Sequence, residues 1–190
     1  LERKDPIEAV WLPYSDRQSI CLSVQSGCSL DCSFCATGKL QFKGNLSVGE
    51  ILAQAYFSQR SYGVPITNVV FMGMGEPFYN YENTLAAAEA LAADGGLNIA
   101  QRKITISTSG VLPRIEQFMQ EGRKFRLALS VHSVFPEVRR DLMDIEKKYP
   151  IEDIFNAVYA LRSTLRENQL TFEYTMIQDV NVSREDAKAL

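Results

Sequence analysis

The chain alternates short apolar runs, which are typical of β-strands, with longer amphipathic stretches, which are typical of α-helices. The clearest strand is the sequence Asn-Val-Val-Phe-Met at residues 68–72, an almost continuous apolar run. Such runs are buried on both faces of a parallel sheet. Further strands are predicted at 103–107, 125–131 and 170–177, with helices between them. This order predicts parallel β/α units.

A β-hairpin is predicted before these units. Residues 7–14 and 19–24 have the composition of strands and flank a polar turn at 15–18. With about five strands after the hairpin, the pattern is too short for a complete barrel of β/α units. The predicted fold is therefore α/β, a partial (βα) TIM-like barrel with an N-terminal β-hairpin. Residues 1–20 would be the hairpin lead-in, and residues 21–190 the barrel core without its C-terminal part.

Polar or glycine-rich clusters follow the predicted strands. They are the cysteine-containing loop after the hairpin and the segments 73–76, 107–109 and 130–132. In β/α barrels the functional groups lie at the C-terminal ends of the strands. We therefore expect all of these clusters to meet on one rim of the sheet.

Three cysteines with C-x3-C-x2-C spacing, Cys28, Cys32 and Cys35, occupy the loop after the hairpin. A [4Fe–4S] cluster is normally held by four cysteines. With three, one iron keeps an open position for a substrate or cofactor. The spacing alone also allows a zinc site with Cys21 as a fourth ligand, or thiols that are free or disulfide-bonded.

Composition limits the class of protein. Hydrophobic residues make up 46% of the 190 residues, which favours a globular domain with one sizeable core. No apolar run approaches the ~20 residues of a membrane helix, and no signal peptide is visible. Because the first residue is Leu, we expect this sequence to be the core of a longer protein. Because the sequence shows neither a membrane helix nor a signal peptide, we expect that protein to be cytoplasmic and not to contact membranes. All four cysteines fit a reducing compartment.

The charge pattern does not favour nucleic-acid binding by the whole surface, because the net charge is −3. Local pairs of basic residues are predicted to lie on solvated faces. These pairs are Arg102-Lys103, Arg123-Lys124, Arg139-Arg140 and Lys147-Lys148.

The cysteine triad, with Phe34 directly before its third member, resembles the radical S-adenosylmethionine (SAM) superfamily. In that superfamily the open iron binds the amino and carboxylate groups of SAM. A narrower resemblance is to the RlmN/Cfr-type adenosine C2/C8 methyltransferases of RNA. The matching segments, in order, are 21–28, 45–46, 71–77, 107–111, 129–132 and 173–174. General likeness favours the RlmN-like branch, which acts on adenine C2, over the Cfr-like branch, which acts on C8.

The resemblance implies a barrel of the radical SAM type and a role for each matching residue. Cys28, Cys32 and Cys35 would hold the [4Fe–4S] cluster. Gly75 and Glu76 would bind SAM, with Glu76 taking its ammonium group. The rest of the SAM pocket would be lined by Ser107, Ser130, Val131 and His132. On its own, a single histidine at a strand end is more often structural.

Cys21 and Glu8 would take part in the reaction itself. By resemblance, Cys21 forms a transient disulfide that releases the methylated base, and Glu8 accepts a proton from the ring. From the residues alone, Cys21 is equally a buried strand cysteine and Glu8 an acid on an exposed strand. The cysteine that carries the methyl group in the family has no counterpart, because no cysteine follows Cys35. We therefore expect a catalytic core that binds the cluster and SAM but does not methylate RNA alone.

The partners implied by resemblance are ribosomal RNA, with transfer RNA as a further candidate, and a reducing electron donor such as flavodoxin. Two other classes use the same cysteine triad. One is a radical SAM activase that acts on a protein, for which 5′-deoxyadenosine formation with protein and RNA substrates is the discriminating assay. The other is a non-catalytic iron–sulfur electron carrier, which tight SAM binding would exclude.

Overall fold

The computed structural model describes residues 5–190, so the first four residues of the predicted lead-in lie outside the described residues. A six-stranded sheet has the order β1-β2-β5-β6-β7-β8, and β3 and β4 form a separate two-stranded ribbon. The strands are β1 (Val10–Pro13), β2 (Gln18–Cys21), β3 (Gln25–Ser26), β4 (Gly44–Asn45), β5 (Asn68–Phe71), β6 (Ile104–Thr108), β7 (Arg126–Ser130) and β8 (Leu170–Glu173).

Helices connect the parallel strands, as the alternation predicts. They are α1 (Val48–Tyr62), α2 (Tyr81–Ala92), α3 (Leu112–Gln120), α4 (Pro136–Leu142), α5 (Ile151–Leu161) and α6 (Arg184–Ala189). Ser47 and Glu50 form the capping box that starts α1, because each side chain accepts a hydrogen bond from the other residue's backbone N–H. Within the described part of the chain, none of these helices combines the length and apolar character needed to cross a bilayer.

The predicted hairpin and partial barrel are confirmed. β1 pairs with β2 in antiparallel fashion, and every later pairing in the main sheet is parallel. Over residues 5–190 the sheet does not close on itself, since β1 and β8 form its edges. The last strand is shorter than predicted, because the chain leaves the sheet after Glu173 instead of continuing to residue 177.

The two faces of the sheet differ in character because successive side chains of a strand point to opposite faces. One face carries the core residues, including Val69, Ile106 and Leu129, and packs against the helices. The strand register places Cys21, Ser107, Ser130 and Glu173 on the other face. The polar residues predicted for the rim therefore share one side of the sheet.

Candidate active site

A cavity of about 290 Å³ lies at the C-terminal ends of the parallel strands, under the cysteine loop. It brings together most of the side chains that the sequence predicts for the site. These are Cys28, Cys32, Cys35, Gly75, Glu76, Ser107, Ser130 and His132. Segments that lie far apart in the sequence thus meet in one place, as the rim argument predicts.

The cysteine loop is fixed by short-range and long-range hydrogen bonds. The N–H of Cys35 donates to the carbonyl of Cys32 at 3.0 Å, and the N–H of Ser33 donates to the carbonyl of Leu142 on α4, also at 3.0 Å. Gly27 begins the loop with φ +73°, and a Cβ there would lie 2.2 Å from the carbonyl oxygen of Gln41. Only glycine fits this approach, so the loop is tightly specified at its start.

Two thiols of the cysteine loop have raised pKa values. Burial, together with the charges of Cys28, Cys35 and Glu76, raises the pKa of Cys32 to about 12. Burial also raises the pKa of Cys28. Thiolates are the metal-binding form, so loading iron must release protons from these groups.

The geometry does not favour a zinc site. Cys21, the candidate fourth zinc ligand, does not line the cavity. All four cysteines are free thiols, so the expectation of a disulfide finds no support in this structure.

Glu76 is a buried carboxylate held by two backbone N–H groups. Its Oε1 accepts a hydrogen bond from the N–H of Phe78 at 2.9 Å, and its Oε2 accepts one from the N–H of Ser109 at 2.7 Å. Burial raises the pKa of Glu76, and these hydrogen bonds oppose that rise. No Lys or Arg forms an ion pair with it in the part of the chain that the structure describes. A buried carboxylate without a protein cation suits the ammonium group of a ligand.

Gly75 lets the chain turn beside this carboxylate. Its φ is +97°, and a Cβ would lie 2.4 Å from the side chain of Gln25. Gln25 in turn accepts a hydrogen bond from the N–H of Glu76 at 3.0 Å. The strand-to-helix turn after β5 is therefore built around glycine and locked by a buried glutamine that the sequence did not single out.

His132 is held in a neutral form at the edge of the cavity. Its Nδ1 accepts a hydrogen bond from the N–H of Thr175 at 3.0 Å, which leaves the ring proton on Nε2. Burial, assisted by the charge of Arg139, lowers the pKa of His132 to about 4. The ring meets Phe34 edge-on, with 4.8 Å between ring centres. His132 therefore links the end of β7 to the cysteine loop.

The lowered pKa of His132 predicts that the free energy of unfolding decreases in acid. An unfolded histidine titrates near pH 6.5, above the folded value, so the unfolded state binds the proton first as the pH falls. The contribution of neutral His132 to the free energy of unfolding is complete above about pH 6.5 and is lost as the pH falls towards 4. Urea unfolding of the metal-free protein would measure the free energy of unfolding at pH 7 and at pH 5. Its decrease between these two pH values should be smaller for His132→Asn than for the wild type. Asparagine tolerates the positive φ of 57° at this position. Equal losses in the two proteins would contradict the prediction.

Three predicted residues lie outside the cavity lining. The side chain of Val131 is fully buried in the hydrophobic core, so it does not point into the cavity. Cys21 lies at the end of β2, and the charges of Glu8 and Glu173 contribute to raising its pKa after the larger effect of burial. Glu8 itself is exposed, and its carbonyl accepts a hydrogen bond from Ser23. The structure therefore places Glu8 near Cys21, beside the cavity and not within it.

The prediction that the Arg139-Arg140 pair lies on a solvated face is wrong for Arg139. Its side chain is 0% exposed and forms a buried ion pair with Glu146. The guanidinium also donates to the carbonyl oxygens of Ser109, Ser130 and Val131. One buried cation thus joins the ends of β6 and β7 beneath the cavity.

Asn181 is another residue that the sequence did not reveal. It is 1% exposed, and its amide nitrogen donates to the carbonyls of His132 at 2.6 Å and Thr175 at 2.8 Å. These bonds fold the segment after β8 back over the end of β7. The early end of β8 is a consequence of this long-range contact.

Comparison with known proteins identifies the family. The radical SAM superfamily matches residues 22–190. The chain therefore belongs to the radical SAM superfamily. That membership implies a [4Fe–4S] cluster and SAM as cofactors, and the three partly buried thiols and the buried carboxylate of one cavity fit these groups.

Matching relatives include proteins named dual-specificity RNA methyltransferase RlmN. The protein from Pseudomonas entomophila (strain L48) is 43% identical over 189 residues, which are 95% of this chain and 50% of the relative. A probable RlmN from Clostridium botulinum (strain Alaska E43 / Type E3) is 44% identical over 97% of this chain and 53% of its own length. The chain thus spans about half the length of these relatives.

Solved structures show the same fold. A radical SAM methyltransferase from Sphaerobacter thermophilus has a TM-score of 0.89 at 39% identity, and the match covers 97% of this chain and 55% of that one. Streptococcus suis SuiB, at 15% identity and a TM-score of 0.61, supports the fold alone. The predicted α/β partial barrel of the radical SAM type is confirmed.

Proposed function

We propose that this chain is the catalytic core of a radical SAM methyltransferase that modifies C2 of adenine in ribosomal RNA, with transfer RNA as a second substrate. The observation that carries the proposal is the cavity, which gathers Cys28, Cys32, Cys35 and Glu76 in a chain 43% identical to RlmN proteins. An enzyme needs such a cavity, and an electron carrier does not. This favours SAM chemistry over the non-catalytic iron–sulfur alternative.

Different residues of the cavity would bind the cluster and SAM. Cys28, Cys32 and Cys35 would hold the cluster, whose chemistry when bound is the reductive cleavage of SAM. Glu76 would fix the ammonium group of SAM, because its oxygens are already aligned by two backbone N–H groups. Ser107 and Ser130 would contact the remainder of SAM, and neutral His132 would hold the cysteine loop through Phe34.

Glu8 and Cys21 lie beside the cavity, where an RNA base would have to be presented. Glu8 would accept the proton that leaves the adenine ring, which its exposure allows. Cys21 would release the product by attack of its thiolate on the sulfur of the methyl-carrying cysteine. The disulfide forms as the bond from that sulfur to the transferred carbon breaks, and the carbon takes up a proton to become the methyl group of the base. No counterpart of the methyl-carrying cysteine follows Cys35 in the given sequence. The raised pKa of Cys21 keeps its thiol protonated until that step, so the thiol must lose a proton before it forms the bond.

The setting of this activity follows from the same chemistry. We expect the protein to act in a reducing cytoplasm and to receive electrons from a low-potential donor such as flavodoxin. Within the chain, residues 1–20 would be the lead-in and residues 21–190 the barrel core. A Cfr-like enzyme that methylates C8 remains the alternative within the family. An activase that acts on a protein is the alternative outside it.

A chimaera tests the proposal and separates these alternatives. Residues 21–190 would replace the matching segment of the Pseudomonas entomophila RlmN, in a host that lacks its own enzyme. We expect 2-methyladenosine in ribosomal and transfer RNA, measured by mass spectrometry. The same chimaera with Cys28→Ala is the matched control and should give none. Methylation at C8 would select the Cfr-like branch. A cluster-loaded chimaera that forms 5′-deoxyadenosine but no methyladenosine would contradict the proposal.

A further inference from the structure

A group of basic side chains lies at the N-terminal ends of three neighbouring strands, at the opposite end of the sheet from the cysteine loop. Its five members, which we call the basic strip, are Arg102 and Lys103 before β6, Lys124 and Arg126 at the start of β7, and Arg166 before β8. All five residues are exposed. Over residues 5–190, none of the five forms an ion pair with an acid.

Two adjoining cavities open along the basic strip. The larger one, of about 430 Å³, is lined by four of the five cations and by a single acid, Glu167. The smaller one, of about 300 Å³, shares Arg102 and Arg126 with the first cavity and adds Lys103. Positive charge is therefore concentrated around one depression, although the net charge of the chain is −3.

The backbone under the strip is fixed by a buried glutamine. Gln169 is 5% exposed, and its amide nitrogen donates to the carbonyls of Arg123 and Phe125, the latter at 2.8 Å. Its side-chain oxygen accepts from the N–H of Arg166 at 2.9 Å. These bonds tie the turn before β8 to the start of β7, so the two turns that carry three of the five cations are held together.

The shape of the strip favours a row of anions over a single one. Neighbouring strands lie about 4.8 Å apart, so the backbone positions of the cations spread over roughly 10 Å, and long side chains extend the strip further. The larger cavity is lined by turns that precede strands, not by the N-terminus of an α-helix, which is the usual cradle for one phosphate group. A nucleic-acid strand presents regularly spaced phosphates, which match a row of cations.

The strip is separate from the candidate active site. β7 starts at Arg126 and ends at Ser130, which lines the active-site cavity. The strand between these two residues spans roughly 13 Å. A folded RNA is much larger than this distance, so one molecule can present a base to the cavity and phosphates to the strip.

We propose that the basic strip binds the phosphate backbone of the RNA substrate, away from the base that is modified. This inference rests on the proposed function, because it takes RNA as the polyanion. The contact is electrostatic and independent of base sequence, so it positions the RNA and does not select the base.

The salt dependence of RNA binding tests the proposal. Fluorescence anisotropy would measure the affinity of the cluster-loaded protein for a labelled RNA hairpin at several salt concentrations. The triple variant Arg102→Gln, Arg126→Gln, Arg166→Gln should bind the hairpin more weakly than the wild type. Its slope of log affinity against log salt should be shallower by about 2, since each phosphate contact contributes about 0.7–0.9.

A second triple variant is the charge-matched control. Arg60→Gln, Arg184→Gln and Lys188→Gln remove the same charge from exposed positions on α1 and α6. This control should keep the wild-type slope. The thermal midpoint of the strip variant should not fall, because like charges are removed from one patch. Equal slopes for the two triple variants would show that the inference is wrong.

Competition with pyrophosphate separates an RNA backbone contact from a site for a small phosphate compound. At equal ionic strength, we expect pyrophosphate to displace the hairpin no better than sulfate does. Specific displacement by pyrophosphate that is lost in the strip variant would overturn the inference, since the strip would then be a small-ligand site.

The RlmN chimaera distinguishes failure of this inference from failure of the proposed function. With the three strip substitutions, the chimaera should keep its iron content and its affinity for SAM, while the KM for RNA rises about 10-fold or more. If the unsubstituted chimaera methylates RNA and the substitutions leave this KM unchanged, the inference is wrong and the proposed function stands. If hairpin binding follows the predicted slopes but the unsubstituted chimaera makes no methyladenosine, the strip stands as a nucleic-acid contact and the proposed function is wrong.

Discussion

Replacement of Cys28, Cys32 or Cys35 by alanine should abolish cluster assembly, whereas Cys21→Ala should leave it intact. The first three thiols line one cavity with Glu76, and Cys21 lies at the end of β2 outside that lining. Loss of a residue that merely supports a metal ligand costs about 10- to 100-fold in affinity, so loss of a ligand should cost more. We therefore expect SAM cleavage by the triad variants to fall by on the order of 10² or more.

Anaerobic reconstitution with iron and sulfide would measure this effect. Iron content and the EPR signal of the reduced protein report the cluster, and a change in that signal on adding SAM reports the open iron. Cys21→Ala is a close control because it removes a partly buried thiol from the same region. If Cys21→Ala lost iron to the same extent as Cys32→Ala, the assignment of three ligands would be contradicted, and a four-ligand site would replace it.

The parts of the fold that sequence could predict depend on local patterns. The apolar run at 68–72, the polar turn after residue 14 and the Ser47–Glu50 capping box each specify an element through neighbours in sequence, and all three elements are present. The meeting of distant loops on one rim also followed, because parallel strands share the direction of their C-terminal ends. The cysteine spacing is local too, and it placed three thiols in one cavity.

The parts that sequence could not predict depend on contacts between distant residues. The alternation at 170–177 continues past Glu173, yet Asn181 folds this segment towards His132 and ends the strand. Val131 belongs to a segment that resembles a SAM-binding motif, and its side chain is fully buried in the core. No local pattern carries this information.

The burial of Arg139 could not be predicted from local sequence either. In sequence, Arg139 and Arg140 are equivalent members of a basic pair, but α4 turns Arg139 inward and leaves Arg140 exposed. Glu146, the partner of Arg139, belongs to the polar run Asp-Ile-Glu-Lys-Lys that would ordinarily be solvated. A buried cation can be recognised only when its acceptors, here three carbonyls at the ends of β6 and β7, are known.

This pair supports the second large prediction. Arg139→Met should destabilise the protein by about 3–5 kcal/mol, because it leaves the carboxylate of Glu146 buried without its partner. The double variant Arg139→Met with Glu146→Gln should recover much of this loss. It removes the buried charge, and the glutamine oxygen can still accept from the N–H of Ile151, as Glu146 does at 3.0 Å. Urea unfolding of the metal-free protein measures both values, and Arg140→Met is the control, with an expected change within about 0.5 kcal/mol.

Recovered stability should not restore the cavity, because Arg139 has two separable roles. Neutralising Glu146 removes the cost of an unpaired charge, but the carbonyls of Ser109, Ser130 and Val131 still lose their shared donor. Ser109 holds Glu76 through its N–H, and Ser130 contacts Glu173, so both carboxylates that line the cavity depend on these strand ends. We therefore expect the double variant to recover much of the lost stability yet bind SAM more weakly once loaded with its cluster. Wild-type SAM affinity in a stable double variant would show that Arg139 serves the fold alone.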